Sequence, residues 1–309
     1  MRNAFIDHLS LIMESDDSII LLTADLGYGV FEEIEQKFPS QFFNVGVSEQ
    51  NMIGIAAGLA LSGSKVIVYS IGVFPTFRCL EQIRNDVCYH NLPVLIVGMG
   101  AGLSYGALGM SHHATEDISI IRSLPNISVL SPCSKIDVTW ALDYFVNIQK
   151  PCYLRLDKTY VDSSKITNSN TNISDALVRY FLGSKIALIT TGGISDLVIN
   201  VANHINIETD IASVYCLSAL KPINSTIVEH FKSHDYRYIF TIEEHNLPGG
   251  LGSMLLEIFN DNDIPFNKIN RIGLNDHYAS KVGSQAYLRE QYQLDEHAIY
   301  SYINEIINL

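Results

Sequence analysis

Apolar residues along this chain alternate between two patterns. Short continuous runs bounded by turn residues, SIILLTADL (18–26), KVIVYSI (65–71), PVLIVGMG (93–100), ISVLSP (127–132) and CYLRLD (152–157), predict strands buried on both faces. Between them, NMIGIAAGLALSG (51–63), FRCLEQIRNDVCYH (77–90), EDISIIRSL (116–124) and SKIDVTWALDYFV (134–146) space their apolar residues three and four apart, as helices do. The alternation predicts an α/β fold, a mostly parallel sheet with helices on both faces. From 158 to 184 it lapses into residues rich in Ser, Asn and Thr, which favour local side-chain-to-backbone bonds over regular structure. It restarts with KIALITTGG (185–193), ISDLVINVANHI (194–205), DIASVYCLSAL (210–220), STIVEHFKS (225–233), YRYIFTIEEH (236–245) and GLGSMLLEIFND (250–261). The expected organisation is two such domains, at 1–162 and 185–309, joined by a linker at 163–184. A chain of 309 residues fits two domains at the usual size of roughly 100–200 residues each.

Charge and composition narrow the function classes. A net charge of −13, with Lys and Arg scattered and no basic stripe, disfavours nucleic acid and anionic membrane surfaces as partners. No apolar run reaches the roughly 18–20 residues that cross a bilayer. The opening MRNAFIDHLSLIMESDD turns acidic where a signal peptide would carry small residues, so the expected location is the cytoplasm. Five widely spaced cysteines with no CxxC pair predict reduced thiols, with Cys88, Cys152 and Cys216 in packing roles.

Three stretches carry candidate chemistry. In FNVGVSEQNM (43–52) a carboxylate, Glu49, stands at the entrance of a glycine- and alanine-rich helix; such a carboxylate often does no more than complement the helix dipole. In FPTFRCLEQI (74–83) two aromatics, Phe74 and Phe77, lie three residues apart on one helical face, an arrangement that by itself more often serves a core. Directly after the strand at 93–100 comes a glycine-rich segment ending in GMSHHATED (109–117). Flexible segments after parallel strands commonly build ligand sites. The adjacent His112 and His113 do not converge as metal ligands do, so zinc is not expected there.

Together, in their order and approximate spacing, these stretches resemble the pyrimidine-binding domain of the transketolase family. TIEEHNLPGGLGSMLLE and GLNDHYASKVGSQAYLREQYQL resemble that family's carboxyl-terminal domain, so the likeness covers essentially the whole chain. The resemblance implies thiamine diphosphate as cofactor. By it, Glu49, in the turn GVSEQ with Val47 and Ser48, binds the ring nitrogen of the aminopyrimidine. Phe77 is the first choice for the aromatic that packs on that ring and Phe74 the second. His112 faces substrate beside the thiazolium, with His113 next to it. Lys158 is the basic residue for substrate phosphate, with Arg155 the near alternative. Glu243, Glu244 and His245 are expected at the interface.

Two departures shape the expected function. The family's GDG motif and the Asn that follows it, which hold the diphosphate through Mg²⁺, do not occur here. The resemblance therefore implies the carboxyl-terminal-half subunit of a split transketolase. An amino-terminal-half partner would carry GDG and the Mg²⁺ ligands, and the expected assembly is a heterotetramer with two copies of each chain. The implied reaction is transfer of a two-carbon ketol unit from a ketose, expected to be phosphorylated, to an aldose. Secondly, Leu108 stands four positions before His112, where many members carry an acid that reads a substrate hydroxyl. The rival readings are the β subunit of a 2-oxo-acid dehydrogenase and a non-catalytic partner that retains the fold. A synthase of the 1-deoxyxylulose-phosphate type shares the same halves but is normally one long chain.

Overall fold

The computed structural model describes residues 1–27, 29–162, 171–206 and 211–307. The first domain runs α1 (Arg2–Ser15), β1 (Ile19–Thr23), α2 (Glu32–Lys37), β2 (Phe42–Asn44), α3 (Glu49–Leu61), β3 (Lys65–Ile71), α4 (Val73–Thr76), α5 (Leu80–Gln82), β4 (Val94–Met99), α6 (Asp117–Arg122), β5 (Ser128–Leu130), α7 (Lys135–Ile148) and β6 (Cys152–Leu156). Its strands lie in the order β5-β6-β4-β3-β1-β2, all parallel. Every residue of β4 and β6 is buried, because one apolar layer packs above the sheet and another below it. The chain passes from β1 outward to β2 and then back across to β3, so the carboxyl ends of these strands flank a topological switch point, where open α/β sheets bind ligands.

The second domain continues with β7 (Thr171–Ser174), β8 (Leu177–Tyr180), β9 (Ile186–Thr190), α8 (Ser195–Asn206), β10 (Ala212–Leu217), β11 (Ala219–Lys221), α9 (Ser225–Lys232), β12 (Tyr238–Asn246), α10 (Leu251–Asp261), β13 (Ile269–Leu274), α11 (Gln285–Gln291) and α12 (Glu296–Ile307). Its sheet has the order β13-β12-β9-β10-β8-β7, with β7 and β8 antiparallel to their neighbours. The strand β11 leaves this domain and pairs antiparallel with β5 of the first. The α/β expectation of two mostly parallel sheets therefore holds.

Two expectations need correction. Of the expected linker at 163–184, residues 163–170 lie outside the described residues, but 171–174 and 177–180 form the hairpin β7–β8, sewn onto β10 through Val214 and Leu217 among others. The single helix expected over 77–90 is instead broken into the end of α4, the short α5 and a π-helical turn over Ile83–Cys88, so that Phe77 and Arg78 sit at a break.

A buried polar seam joins the domains. The Arg155 guanidinium, on β6, donates to Asp117 Oδ2 at 2.8 Å and to the carbonyls of Ala114 (3.0 Å) and Glu244 (3.1 Å). The Tyr153 hydroxyl donates to the same Asp117 oxygen at 2.7 Å. Glu244 accepts from the amide of Leu103 at 2.6 Å, from Gln285 at 2.9 Å, and pairs with Arg289. Glu243 accepts from the amides of Leu251 (2.6 Å) and Gly252 (2.9 Å), and burial pushes its carboxyl up to about 7. His245 lies 3.9 Å from Asp117, and burial pushes its imidazole down to about 4.

Candidate active site

Each candidate loop leaves the carboxyl end of a parallel strand: 45–48 after β2, 72–78 after β3, 100–116 after β4 and 157–160 after β6. The parallel register thus gathers residues that are far apart in sequence at one edge of the sheet.

Glu49 is the first residue of α3 and is 4% exposed. A carboxylate in the first turn is favoured by the helix dipole. Its Oε2 accepts a hydrogen bond from Nη1 of Arg78 at 2.8 Å, and the Arg78 side chain is 49% exposed. The same guanidinium lies over the Phe74 ring, 4.9 Å from its centroid. Phe74 meets the His112 ring edge-on at 5.3 Å. Glu49, Arg78, Phe74 and His112 therefore form one continuous row. Cys79 lies beneath it, and burial together with the nearby Glu49 charge pushes its thiol up to about 12, so it is inert. Val47 is exposed beside this row, with Phe43 close to it in sequence and also exposed; Ser48 is half-buried.

Phe77 takes a different place. It lines a pocket of about 240 Å³ with Val73, Met110, Ser111, His113 and Glu116, and two residues of the second domain, Tyr278 and Ala279, close the far side. His113 is buried there, and neither ring nitrogen makes a hydrogen bond of normal geometry among the described residues. Burial pushes its imidazole below the ordinary histidine value, and burial pushes the Glu116 carboxyl up. An imidazole at the wall of a cavity can offer one nitrogen as a donor and the other as an acceptor.

Lys158 and Arg155, the alternatives for an anion anchor, are separated by the structure. Arg155 is 3% exposed, with Nε held by Asp117 and Nη2 by the Ala114 and Glu244 carbonyls, so it is committed to the seam and its assignment as a substrate contact is corrected. Burial pulls the Arg155 guanidinium down, but the Asp117 carboxylate more than offsets this and holds it above the ordinary arginine value. Lys158 is exposed and lies 3.8 Å from the centroid of the Tyr105 ring, with Nζ donating to the Ser104 carbonyl at 3.1 Å. It lines a pocket of about 340 Å³ together with Arg2, Lys135, Tyr105 and Tyr160. The capping box of α7, in which Ser134 and Asp137 bond each other's backbone amides, fixes Lys135 at that rim. Gly100 lets the chain turn under Tyr105: its φ is +90°, and a Cβ there would run into the tyrosine ring.

Sequence reasoning missed Arg2, Lys135, Arg78 and Tyr278. Only the cationic character of the first three is visible in the sequence; their convergence depends on the fold. Among the described residues no group of three or more His, Cys, Asp and Glu side chains is placed to hold a metal ion, and no helix is long and apolar enough to cross a membrane.

Comparison with known proteins follows the same division of the chain. Residues 1–162 match the transketolase pyrimidine binding domain and residues 176–299 the transketolase C-terminal domain. The chain is 30% identical to one of the subunits of an apulose-4-phosphate transketolase from Actinobacillus succinogenes, over 85% of this chain and 84% of that one. It is 31% identical to a putative transketolase C-terminal section of Methanocaldococcus jannaschii, over 99% and 95%. It is also 31% identical to a 1-deoxy-D-xylulose-5-phosphate synthase of Natranaerobius thermophilus, covering 98% of this chain but 47% of that enzyme. Among solved structures, a split gene transketolase described as an inactive β4 tetramer superposes with a TM-score of 0.85 at 27% identity, covering 100% of this chain and 98% of that one.

Proposed function

Since this chain belongs to the transketolase family, we propose that it is the carboxyl-terminal-half subunit of a split, thiamine-diphosphate-dependent transketolase. It transfers a two-carbon ketol unit from a phosphorylated ketose to an aldose, as a transferase of aldehyde or ketone residues. The observation that carries this reading is the buried Glu49 carboxylate at the start of α3, joined to an aromatic ring by a planar cation. That donor set fits an aminopyrimidine, which needs a carboxylate at a ring nitrogen and a π face. When bound, thiamine diphosphate supplies the carbon nucleophile that attacks a carbonyl.

The chain's own residues then have separable tasks. Glu49 holds and exchanges a proton at the pyrimidine nitrogen, and Val47 and Ser48 shape the turn that presents it. Phe74 and Phe77 form the aromatic wall; Phe74 shares a partner with Glu49, and Phe77 borders the pocket of His113. His112 and the neutral His113 exchange protons with, or hydrogen-bond to, substrate oxygens. Lys158, with Arg2 and Lys135 around the same pocket, anchors the anionic end of the substrate. The Actinobacillus relative is named for a sugar phosphate, which supports that anchor.

Glu49 does not stand in a self-contained core. Around it Phe43 is 45% and Val47 75% exposed, and the open side of α3 presents Gly54 and Gly58 with space where side chains would be. A partner of amino-terminal-half type, carrying GDG and the Mg²⁺ ligands, is the occupant proposed for this face, in a cytoplasmic heterotetramer of two copies of each chain. Purified alone, the chain is expected to show no Mg²⁺-dependent thiamine diphosphate binding tighter than about the micromolar range. With the partner co-expressed, the complex should bind it and move a ketol unit between sugars. Calorimetry showing tight binding by the isolated chain would reject the division of the site. Acetyl transfer to lipoamide, or carbon dioxide release from pyruvate without ketol transfer, would reject the reaction.

The anion anchor is tested separately. Lys158→Ala should raise KM for a phosphorylated ketose roughly tenfold, the scale of one lost hydrogen bond to a charged group, and leave KM for the same ketose without phosphate unchanged. Equal changes for both donors would remove Lys158 from that role.

A further inference from the structure

We infer that Arg78 is a stand-in for the cofactor ring: bonded to Glu49 and lying over Phe74, it occupies the aminopyrimidine's recognition position and must swing out for the ring to dock. This rests on the reading of Glu49 given above. A bound aminopyrimidine would make two contacts here, a hydrogen bond with the carboxylate and a stack against an aromatic face. The guanidinium already makes both, at 2.8 Å from Glu49 and 4.9 Å from the Phe74 ring centre. Guanidinium and aminopyrimidine are both planar, both carry N–H donors at their edge, and both offer a π surface. They compete for one space.

The surroundings separate the moving part from the fixed part. The Arg78 carbonyl accepts from Gln50 Nε2 at 3.0 Å, and Cys79 donates through sulfur to the Phe74 carbonyl at 3.4 Å, so the backbone at the break between α4 and α5 is tied to α3. The side chain is not enclosed. The Arg78 side chain is half-exposed, whereas the Glu49 side chain it pairs with is 4% exposed. Rotation about its side-chain bonds takes the cation into water without disturbing the loop, and it uncovers Glu49. The swing also answers a physical need: a buried carboxylate without a counter-charge is costly, and the guanidinium supplies that counter-charge until the cofactor arrives. The apparent affinity for the cofactor is then reduced by the fraction of molecules with Arg78 swung in.

The test uses the complex with the partner subunit and thiamine diphosphate with Mg²⁺ as probe, read by fluorescence quenching in a stopped-flow instrument and by thermal melting. Arg78→Met keeps length and stem but neither charge nor planarity. It should bind the cofactor roughly fivefold tighter, with faster association, the scale of one partly exposed ion pair. Its cofactor-free melting temperature should fall, and the rise on adding cofactor should grow. Arg78→Lys, which keeps the charge without the planar fork, should lie between Met and wild type. Unchanged or weaker binding by Arg78→Met, with Glu49→Gln weakened as expected, would overturn the stand-in role alone. If wild type and Glu49→Gln bind the cofactor alike, the Glu49 reading falls, and the stand-in role with it.

Discussion

Replacing Glu49 by Gln is expected to lower turnover of the two-subunit complex by roughly 10²–10⁴-fold, the usual worth of a positioned acid–base group, while the subunits still assemble. The substitution is nearly isosteric. It leaves α3 with a polar residue in its first turn and removes only the ionisable group proposed to exchange a proton with the pyrimidine nitrogen. Arg78 would lose its ionic partner, but an amide oxygen still accepts from Nη1, so the loop should remain folded. The measurement is steady-state ketol transfer at saturating cofactor, paired with size-exclusion chromatography of the complex. Turnover within a few-fold of wild type would show that this carboxylate is a structural feature of the helix start and nothing more.

A second large effect is expected in the buried seam between the domains. Asp117→Asn removes the counter-charge of a guanidinium that is almost wholly enclosed, and should destabilise the chain by about 3–5 kcal/mol, the range seen when one partner of a buried pair is removed. Tyr153 also donates to the lost carboxylate oxygen, which adds to the cost. The double change Asp117→Leu with Arg155→Met, apolar and of similar volume, should recover much of the lost stability. Thermal midpoints of the three proteins decide the matter. In the surviving folded fraction KM for phosphorylated donors should stay near wild type. A rise confined to phosphorylated donors would return Arg155 to the substrate side.

The strands are legible in the sequence because burial on both faces turns them into unbroken apolar runs; 93–100 contains the whole of β4. The hairpin β7–β8 is hidden because it lies at the sheet's edge, where polar residues such as Asn172, Ser174 and Arg179 are tolerated. The break within 77–90 is hidden too, because a π-helical turn retains roughly helical spacing while interrupting the axis. The helix α1 does carry a signal, Phe5, Leu9 and Met13 at four-residue intervals, but the same opening residues also have to be weighed as a leader, and that question obscures the periodicity. Within the site, residues following strands can be named from the order of motifs. Partnerships across the fold cannot: Arg155 looks like a cation near a ligand, and only the placement of Asp117, 38 positions earlier, turns it inward.

The excursion of β11 into the first sheet has a consequence for how this chain can be divided. Ala219 and Lys221 pair with Leu130 and Val129, the Ser131 amide donates to the Ser218 carbonyl at 2.7 Å, and the Lys221 ammonium caps the Arg122 and Leu124 carbonyls. Severing the polypeptide between the domains would leave the amino-terminal fragment with β5 stripped of its outer neighbour, a bare margin able to recruit strands from other molecules. The two domains thus share a sheet edge. A cut between the sheets would therefore expose a strand edge that the intact chain keeps covered.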